Sequence, residues 1–247
     1  MSKDILRQID ILLNMYRHGE LGGEIMPEDN NPFLDKNSKE NYLYFTLPMA
    51  LNYQRNSYML WESANKTYQD VDTNFVFDPK KVIESNFEDV QKALIKYKIA
   101  LQKQKQTEIW IKLCHTFVEL FDGDIRKLFS FFDNDVNKIR DFIQKEKKSK
   151  FPYLSGTKIC NYWLYVMYQY TDLNYKNIEC LTVAPDTHVV KATHRLGLIS
   201  DTELIRSDVQ TVVIDRWNEM LKNTKYKPID IHTPLWLWSR NGFKELK

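Results

Sequence analysis

The sequence predicts an all-α protein. Apolar residues recur at helical spacing along most of the 247-residue chain, and capping residues precede several of these segments. The chain holds only 7 glycines and 8 prolines, too few for a many-stranded sandwich with its frequent turns. No convincing strand pattern of alternating polar and apolar residues occurs. We therefore expect ten or so helices packed in one or two bundle-like lobes.

The helices are predicted in order along the chain. The first covers 4–18, and a second is expected over roughly 41–69 with a kink at Pro48. Asp78 and Pro79 begin the next helix, and Asp133 or Asn134 is expected to cap another. The remaining helices are predicted near 87–101, 104–121, 124–131, 157–170, 187–196, 200–224 and 232–243. We treat 1–247 as one helical unit made of the segments 1–40, 41–150, 151–200 and 201–247.

Composition limits the class of protein. With 43% hydrophobic and 13% aromatic residues the chain is globular, and no run of 18 apolar residues suggests a membrane span. The charged, amphipathic start MSKDILRQID favours an intracellular protein. Cys114, Cys160 and Cys180 share no metal-ligand spacing, so we expect free and mostly buried thiols.

Positive charge is concentrated in two stretches although the formal net charge is only +2. Residues 91–112 contain six lysines against one glutamate, and residues 138–158 contain six lysines and one arginine against two acids. Such stretches are typical of a one-sided phosphate-binding surface. Two solvated helix faces would give the same pattern.

The most distinctive local feature is LSGTK, Leu154 to Lys158, followed 28 residues later by Pro185-Asp186. A lysine in the first turn of a helix, beside Ile159 and the positive end of the dipole, is poorly placed to stay charged, as an amine nucleophile requires. An ordinary solvent-facing lysine fits equally well. Asp186 is a good N-cap by itself, and its catalytic interpretation needs an amine or a developing positive charge nearby.

The frame LSGTKICNYW…PDTHVVKATHRLGLI…HTPLWLWSR resembles the helix-hairpin-helix DNA glycosylases with lyase activity, and is most similar to the archaeal 8-oxoguanine DNA glycosylase subfamily. The resemblance runs from about residue 42 to 247 and is strongest over 154–199 and 229–240. It implies two helical lobes around a central cleft. Lys158 would attack C1′ and form a Schiff base. Asp186 would activate that amine and stabilise the positively charged sugar.

The resemblance also assigns residues to a base pocket and to the DNA surface. The pocket walls correspond to Trp61, Tyr162, Pro185 and Trp236, although core packing would also explain both tryptophans. Phosphate contacts would come from the hairpin residues Ser155, Gly156 and Thr157 and from Lys147, Lys148 and Lys150. Gln54, Arg55 and Asn56 occupy the start of a DNA-facing loop, and one of them could fill the gap left by the extruded base.

The chain departs from the subfamily pattern at several places. His232 stands where the subfamily has an aspartate that accepts hydrogen bonds from the base, which leaves the base specificity open. The hairpin lacks the usual paired glycines. No cysteine follows Cys180, so the four-cysteine iron–sulfur cluster of other branches is excluded. No cofactor is implied, and a structural monovalent cation at the hairpin is compatible with the superfamily.

The sequence therefore predicts a base-excision repair enzyme, a bifunctional glycosylase and lyase that removes 8-oxoguanine. The expected partner is double-stranded DNA with a damaged base. We expect a monomer without a membrane partner, cytoplasmic and nucleoid-associated in a prokaryote. Three alternatives stay open: a glycosylase for another modified base, a catalytically silent DNA-binding module on the same fold, and a helical scaffold with solvated basic faces.

Overall fold

The computed structural model describes residues 2–22 and 26–246. Within these ranges it is mostly helical and contains no β-strand, which confirms the all-α class. No helix in the described ranges is long and apolar enough to cross a membrane. The helices are, in chain order, α1 (Ser2–Arg17), α2 (Lys39–Ala50), α3 (Ser57–Gln69), α4 (Pro79–Glu84), α5 (Phe87–Lys96), α6 (Lys103–Phe121), α7 (Arg126–Phe131), α8 (Val136–Asp141), α9 (Thr157–Tyr170), α10 (Thr187–Arg195), α11 (Asp201–Leu204), α12 (Val209–Leu221) and α13 (His232–Arg240).

These helices form two compact units. The inserted unit is Met26–Asn177, and the terminal unit combines Met1–Ile25 with Ile178–Lys247. The predicted segment boundaries at 40, 150 and 200 fall inside these units rather than between them. The helix-hairpin-helix glycosylase fold itself stays a prediction.

The inserted unit is built around α2. Every residue of α2 from Asn41 to Ala50 is buried, since α9, α3 and α6 all pack against this helix. An aromatic cluster completes the core, in which the Tyr44 ring stacks on Phe77 and is tilted against Trp61. Burial on all sides explains why α2 lacks a polar face.

The terminal unit is built around α13, which packs against α10 and α1. Its buried face includes Leu235, Trp236 and Trp238. The two ends of the chain are joined here, because the Asn241 side chain donates a hydrogen bond to the carbonyl of Leu21 at 2.7 Å. Residues 2–22 are therefore an integral part of this unit.

Three details of the helix prediction were wrong. The segment 41–69 is two helices: α2 ends at Ala50, and Asn56 begins α3 by accepting a hydrogen bond from the Met59 amide. Pro48 lies in the last turn of α2, and the helix ends two residues after it. Similarly, 200–224 is divided into α11 and α12. The cap of α8 is Asp135, whose side chain accepts from the amides of residues 137 and 138.

Candidate functional site

Lys158 lies at the second position of α9, directly after a tight turn. The turn is closed by hydrogen bonds from the Ser155 amide to the Phe151 carbonyl and from the Gly156 amide to the Tyr153 carbonyl, both at 2.9 Å. Gly156 occupies the N-cap position, so no side chain caps the first amides of α9. Uncapped amides at a helix N-terminus attract anions such as phosphate.

The hairpin presents its polar residues to solvent. Gly156, Thr157 and Lys158 are exposed, whereas the next residues, Ile159 and Cys160, are buried. The expectation that apolar neighbours desolvate Lys158 was therefore wrong, because the side chain points away from the buried face of α9. A Cβ at Gly156 would lie 3.1 Å from the Tyr153 carbonyl oxygen, so this turn has little space for another residue.

The hairpin position is fixed by the buried face of α9. This face packs on α2, and the Trp163 indole donates a hydrogen bond to the Thr46 hydroxyl at 3.0 Å. Both groups are buried, so the bond resists competition from water. The hairpin therefore stands on a rigid support.

A cation at the hairpin stays a prediction. The carbonyls of Phe151, Pro152 and Tyr153 already accept amide hydrogen bonds.

Asp186 caps α10, as the sequence predicts. Its Oδ1 atom accepts hydrogen bonds from the amides of His188 and Val189, both at 2.9 Å. Its Oδ2 atom accepts a third, at 2.9 Å, from the indole Nε1 of Trp236 on α13. Three donors thus fix the orientation of this half-buried carboxylate. No sequence signal indicates the bond to Trp236, which joins residues 50 positions apart.

Trp236 belongs to a small polar and aromatic cluster in the terminal unit. The His188 ring meets it edge-on, with the centroids 5.6 Å apart, and the Arg240 guanidinium lies 5.0 Å from its centroid. The side chain is 9% exposed. Both predicted roles, packing and contact with a ligand, are compatible with this position, and the pocket role stays a prediction.

His232 is buried next to the segment that leads into Asp186. Its Nδ1 atom accepts a hydrogen bond from the Ala184 amide at 3.3 Å, immediately before the buried Pro185. Nδ1 is therefore engaged by the backbone of its own unit, whereas the aspartate expected from the subfamily has only acceptor oxygens.

The inserted unit contains a buried acidic group that sequence reasoning misses. Glu28, in a 3₁₀ turn at Pro27–Asp29, is only 1% exposed. Its Oε1 atom accepts hydrogen bonds from the indole of Trp61 at 2.9 Å and from the Tyr162 hydroxyl at 3.0 Å. The surrounding stretch has the composition of a polar loop. An acidic residue between Pro27 and Asp29 is therefore expected at the surface.

Burial changes the pKa of Glu28. Loss of hydration raises the pKa of its carboxyl from the ordinary 4.5 to about 7, although its own backbone amide and the two side-chain donors oppose the shift. Glu28 also connects two of the predicted pocket residues. Trp61 is fully buried against Tyr44 and Phe45, as expected for a core residue, while Tyr162 is partly buried.

The predicted DNA-contacting residues differ in their surroundings. Lys147 and Lys148 are exposed, but Lys150 forms an ion pair with Glu119 at 2.5 Å. Gln54 is exposed with a left-handed φ of 49°. Arg55 has structural partners, because its guanidinium donates to the carbonyls of Ile99 at 2.7 Å and of Lys98 at 3.2 Å.

The predicted site residues thus fall into two groups, each in its own unit. The inserted unit holds Lys158 in the hairpin and the Glu28–Trp61–Tyr162 cluster, and the terminal unit holds Asp186 with Trp236 and His232. No protein-family model matches the chain, and no curated protein matches it significantly.

Proposed function

We propose that this chain is a bifunctional DNA glycosylase and lyase that excises 8-oxoguanine from double-stranded DNA. The observation that carries the proposal is the position of Lys158, an exposed amine in the first turn of a helix whose N-terminus has no side-chain cap. Such a helix end attracts a DNA phosphate through its free amides. The amine then stands beside the sugar-phosphate backbone that it would attack.

In the proposed reaction the neutral amine of Lys158 forms a bond to C1′ while the bond from C1′ to the base breaks. The damaged base leaves with the electron pair and takes up a proton. The sugar ring opens to give an imine with Lys158. Loss of a proton from C2′ then expels the 3′ phosphate, which cleaves the strand.

Asp186 is the proposed partner in this chemistry. Its carboxylate would receive the proton of the Lys158 ammonium and stabilise the positive charge on the sugar. The three N–H donors on its oxygens support this role, because they hold the carboxylate in one orientation before any substrate binds. A capping role and a catalytic role are compatible in the same side chain.

His232 favours a second substrate class. It stands where the subfamily has an aspartate that accepts hydrogen bonds from the base, and its Nδ1 atom is already engaged by the Ala184 amide. The ring therefore does not reproduce the acceptor oxygens of that aspartate. A glycosylase for another modified base is therefore the alternative, and it uses the same Lys158 chemistry.

Borohydride trapping tests the proposal. Wild type and Lys158→Gln are incubated with duplexes that carry 8-oxoguanine, unmodified guanine or an abasic site, and covalent complexes are separated by electrophoresis. We expect a complex with 8-oxoguanine in wild type and none in Lys158→Gln. A complex with the abasic duplex alone would reject the base assignment and favour the second substrate class. No complex with any duplex would reject the lyase.

A second pair of variants separates the two roles of Asp186. Asn is as good an N-cap as Asp, so Asp186→Asn keeps the cap but removes the charge and the acceptor for Trp236. Trp236→Phe removes the same indole hydrogen bond and leaves the carboxylate charged. We expect trapping to slow about 100-fold or more in Asp186→Asn relative to Trp236→Phe. Equal rates would leave Asp186 as a cap only.

A further inference from the structure

We propose that Tyr53, Tyr153 and Lys105 form a platform on which an unpaired nucleotide of the DNA stacks. This inference rests on the proposed function, since it takes DNA as the partner, and it concerns a surface outside the residues assigned to the reaction. All three residues lie in the inserted unit. We call them the tyrosine platform.

The two tyrosine rings face each other across two loops. Tyr53 follows α2 and Tyr153 precedes the hairpin, and their centroids are 5.7 Å apart with the planes inclined by 30°. Tyr53 keeps 52% of its surface exposed and Tyr153 is partly exposed, so the pair is accessible from solvent. A large aromatic side chain that is half exposed gains little for folding, and offers a flat surface to a ligand.

The platform is held rigidly. Arg55 anchors the Tyr53 loop through its two hydrogen bonds to the carbonyls of Lys98 and Ile99. The buried Gln106 side chain accepts from the amides of Leu101 and Gln102 at 2.6 and 3.1 Å, which fixes the chain entering α6. A surface that is rigid before binding loses less conformational entropy when a ligand binds.

Two lysines of the first turn of α6 lie at or near the platform. The ammonium of Lys105 lies 5.5 Å from the centroid of the Tyr153 ring, and Lys103 is exposed in the same first turn of α6. No acidic residue lies in that turn. Lysines at the positive end of a helix dipole disfavour the helix unless an anion is bound, so this arrangement is electrostatically complementary to a phosphate.

An open aromatic face beside lysines fits one kind of ligand. Every nucleobase has a π-face that stacks on tyrosine, and the phosphate attached to it is neutralised by lysine. A paired base inside a duplex cannot expose that face. The occupant is therefore an unpaired nucleotide, such as one displaced from the helix when the DNA is distorted.

The test measures binding of the full chain by fluorescence anisotropy. The probes are a perfect duplex and the same duplex with one unpaired nucleotide as a bulge. The variants are Tyr53→Ala, Tyr53→Phe, which retains the ring, and Lys105→Gln. Phe131→Ala, which removes another exposed aromatic side chain at 77% exposure, serves as the control.

We expect wild type to prefer the bulged duplex. Tyr53→Ala should weaken binding to the bulged duplex about tenfold and leave the perfect duplex nearly unchanged, whereas Tyr53→Phe should restore the preference. Lys105→Gln should weaken binding to both duplexes alike. It should also reduce the salt dependence of the affinity by the amount expected for about one phosphate contact. Equal affinities of Tyr53→Ala and wild type for the bulged duplex would overturn the platform, as would a similar loss in Phe131→Ala.

The result is distinguishable from that of the trapping experiment. A platform that fails leaves the trapped Lys158 complex intact, since neither tyrosine takes part in the covalent steps. A selective loss of bulge binding in Tyr53→Ala without any trapped complex would keep the platform and reject the glycosylase. If wild type binds neither duplex even at low salt, both proposals are rejected.

Discussion

Glu28 is an acidic side chain enclosed in protein, and its charge therefore depends on the solvent pH in an unusual range. Its carboxyl accepts hydrogen bonds from Trp61 and Tyr162, which a neutral acid can also accept through its carbonyl oxygen. Ionisation in that position costs free energy because burial removes hydration. This cost is absent from the unfolded state, in which the carboxyl is hydrated.

This environment predicts a pH-dependent stability. The pKa of Glu28 is about 7 in the folded chain, above its ordinary 4.5, so the folded state binds the proton more tightly. Its contribution to stability is complete below pH 4.5 and is lost as pH rises through about 7. A shift of this size corresponds to about 3 kcal/mol.

Glu28→Gln measures that contribution, because glutamine keeps the acceptor oxygen and cannot ionise. We expect urea unfolding to show the variant gaining stability relative to wild type between pH 5 and pH 8, by up to about 3 kcal/mol. Other titrating groups are common to both proteins and cancel in the difference. A difference that does not change with pH would mean that ionisation of Glu28 is not coupled to folding.

At the scale of elements, the loop between α2 and α3 depends on Arg55. Burial lowers the pKa of its guanidinium to about 10, and its two hydrogen bonds go to consecutive carbonyls of the segment before α6. One side chain thus ties two loops together. The predicted DNA contact of Arg55 would compete with these bonds.

Substitution of Arg55 separates the two roles. We expect Arg55→Ala to lower the free energy of unfolding by about 1–3 kcal/mol, because it removes charge-assisted hydrogen bonds. Arg55→Lys should recover only part of the lost stability, because one ammonium group cannot donate to both carbonyls in the geometry of the planar guanidinium. Urea unfolding of the three proteins gives the answer. Unchanged stability in Arg55→Ala, combined with weaker DNA binding, would instead favour the predicted contact.

At the scale of the whole molecule, only some of the lysines are available to bind phosphate. The formal net charge is +2, and several lysines of the two basic stretches are paired, among them Lys96 with Asp70 and Lys150 with Glu119. Exposed lysines such as Lys147 and Lys148 remain at the surface. Phosphate binding is therefore expected to depend on particular lysines and not on the total charge.

The salt dependence of DNA affinity tests this difference. Removing one lysine that neutralises a phosphate should lower the slope of log affinity against log salt by about 0.9. We expect a change of that size for Lys148→Gln and a smaller one for Lys150→Gln, whose ammonium already faces Glu119. Anisotropy titrations at several salt concentrations measure the slopes. Equal changes would mean that the ion pair with Glu119 opens when DNA binds.

The helices and caps were largely predictable because they depend on local spacing. Asp186 as a cap and Gly197 after α10, with a φ of 74°, follow from short-range rules. The burial of Glu28 was not predictable, because its partners Trp61 and Tyr162 lie 33 and 134 positions away. The bond from Trp236 to Asp186 was not predictable either, because it joins residues 50 positions apart. The exposure of Lys158 depends on which face of α9 packs against α2.

The terminal unit is made from both ends of the chain, and this has a consequence for biosynthesis. Residues 26–177 are contiguous, so the inserted unit can form while the ribosome is still producing the remainder. The terminal unit has to wait, because α1 packs on α13, which is translated after the whole inserted unit. The nascent chain therefore carries the folded Lys158 hairpin before the carboxylate of Asp186 is in place.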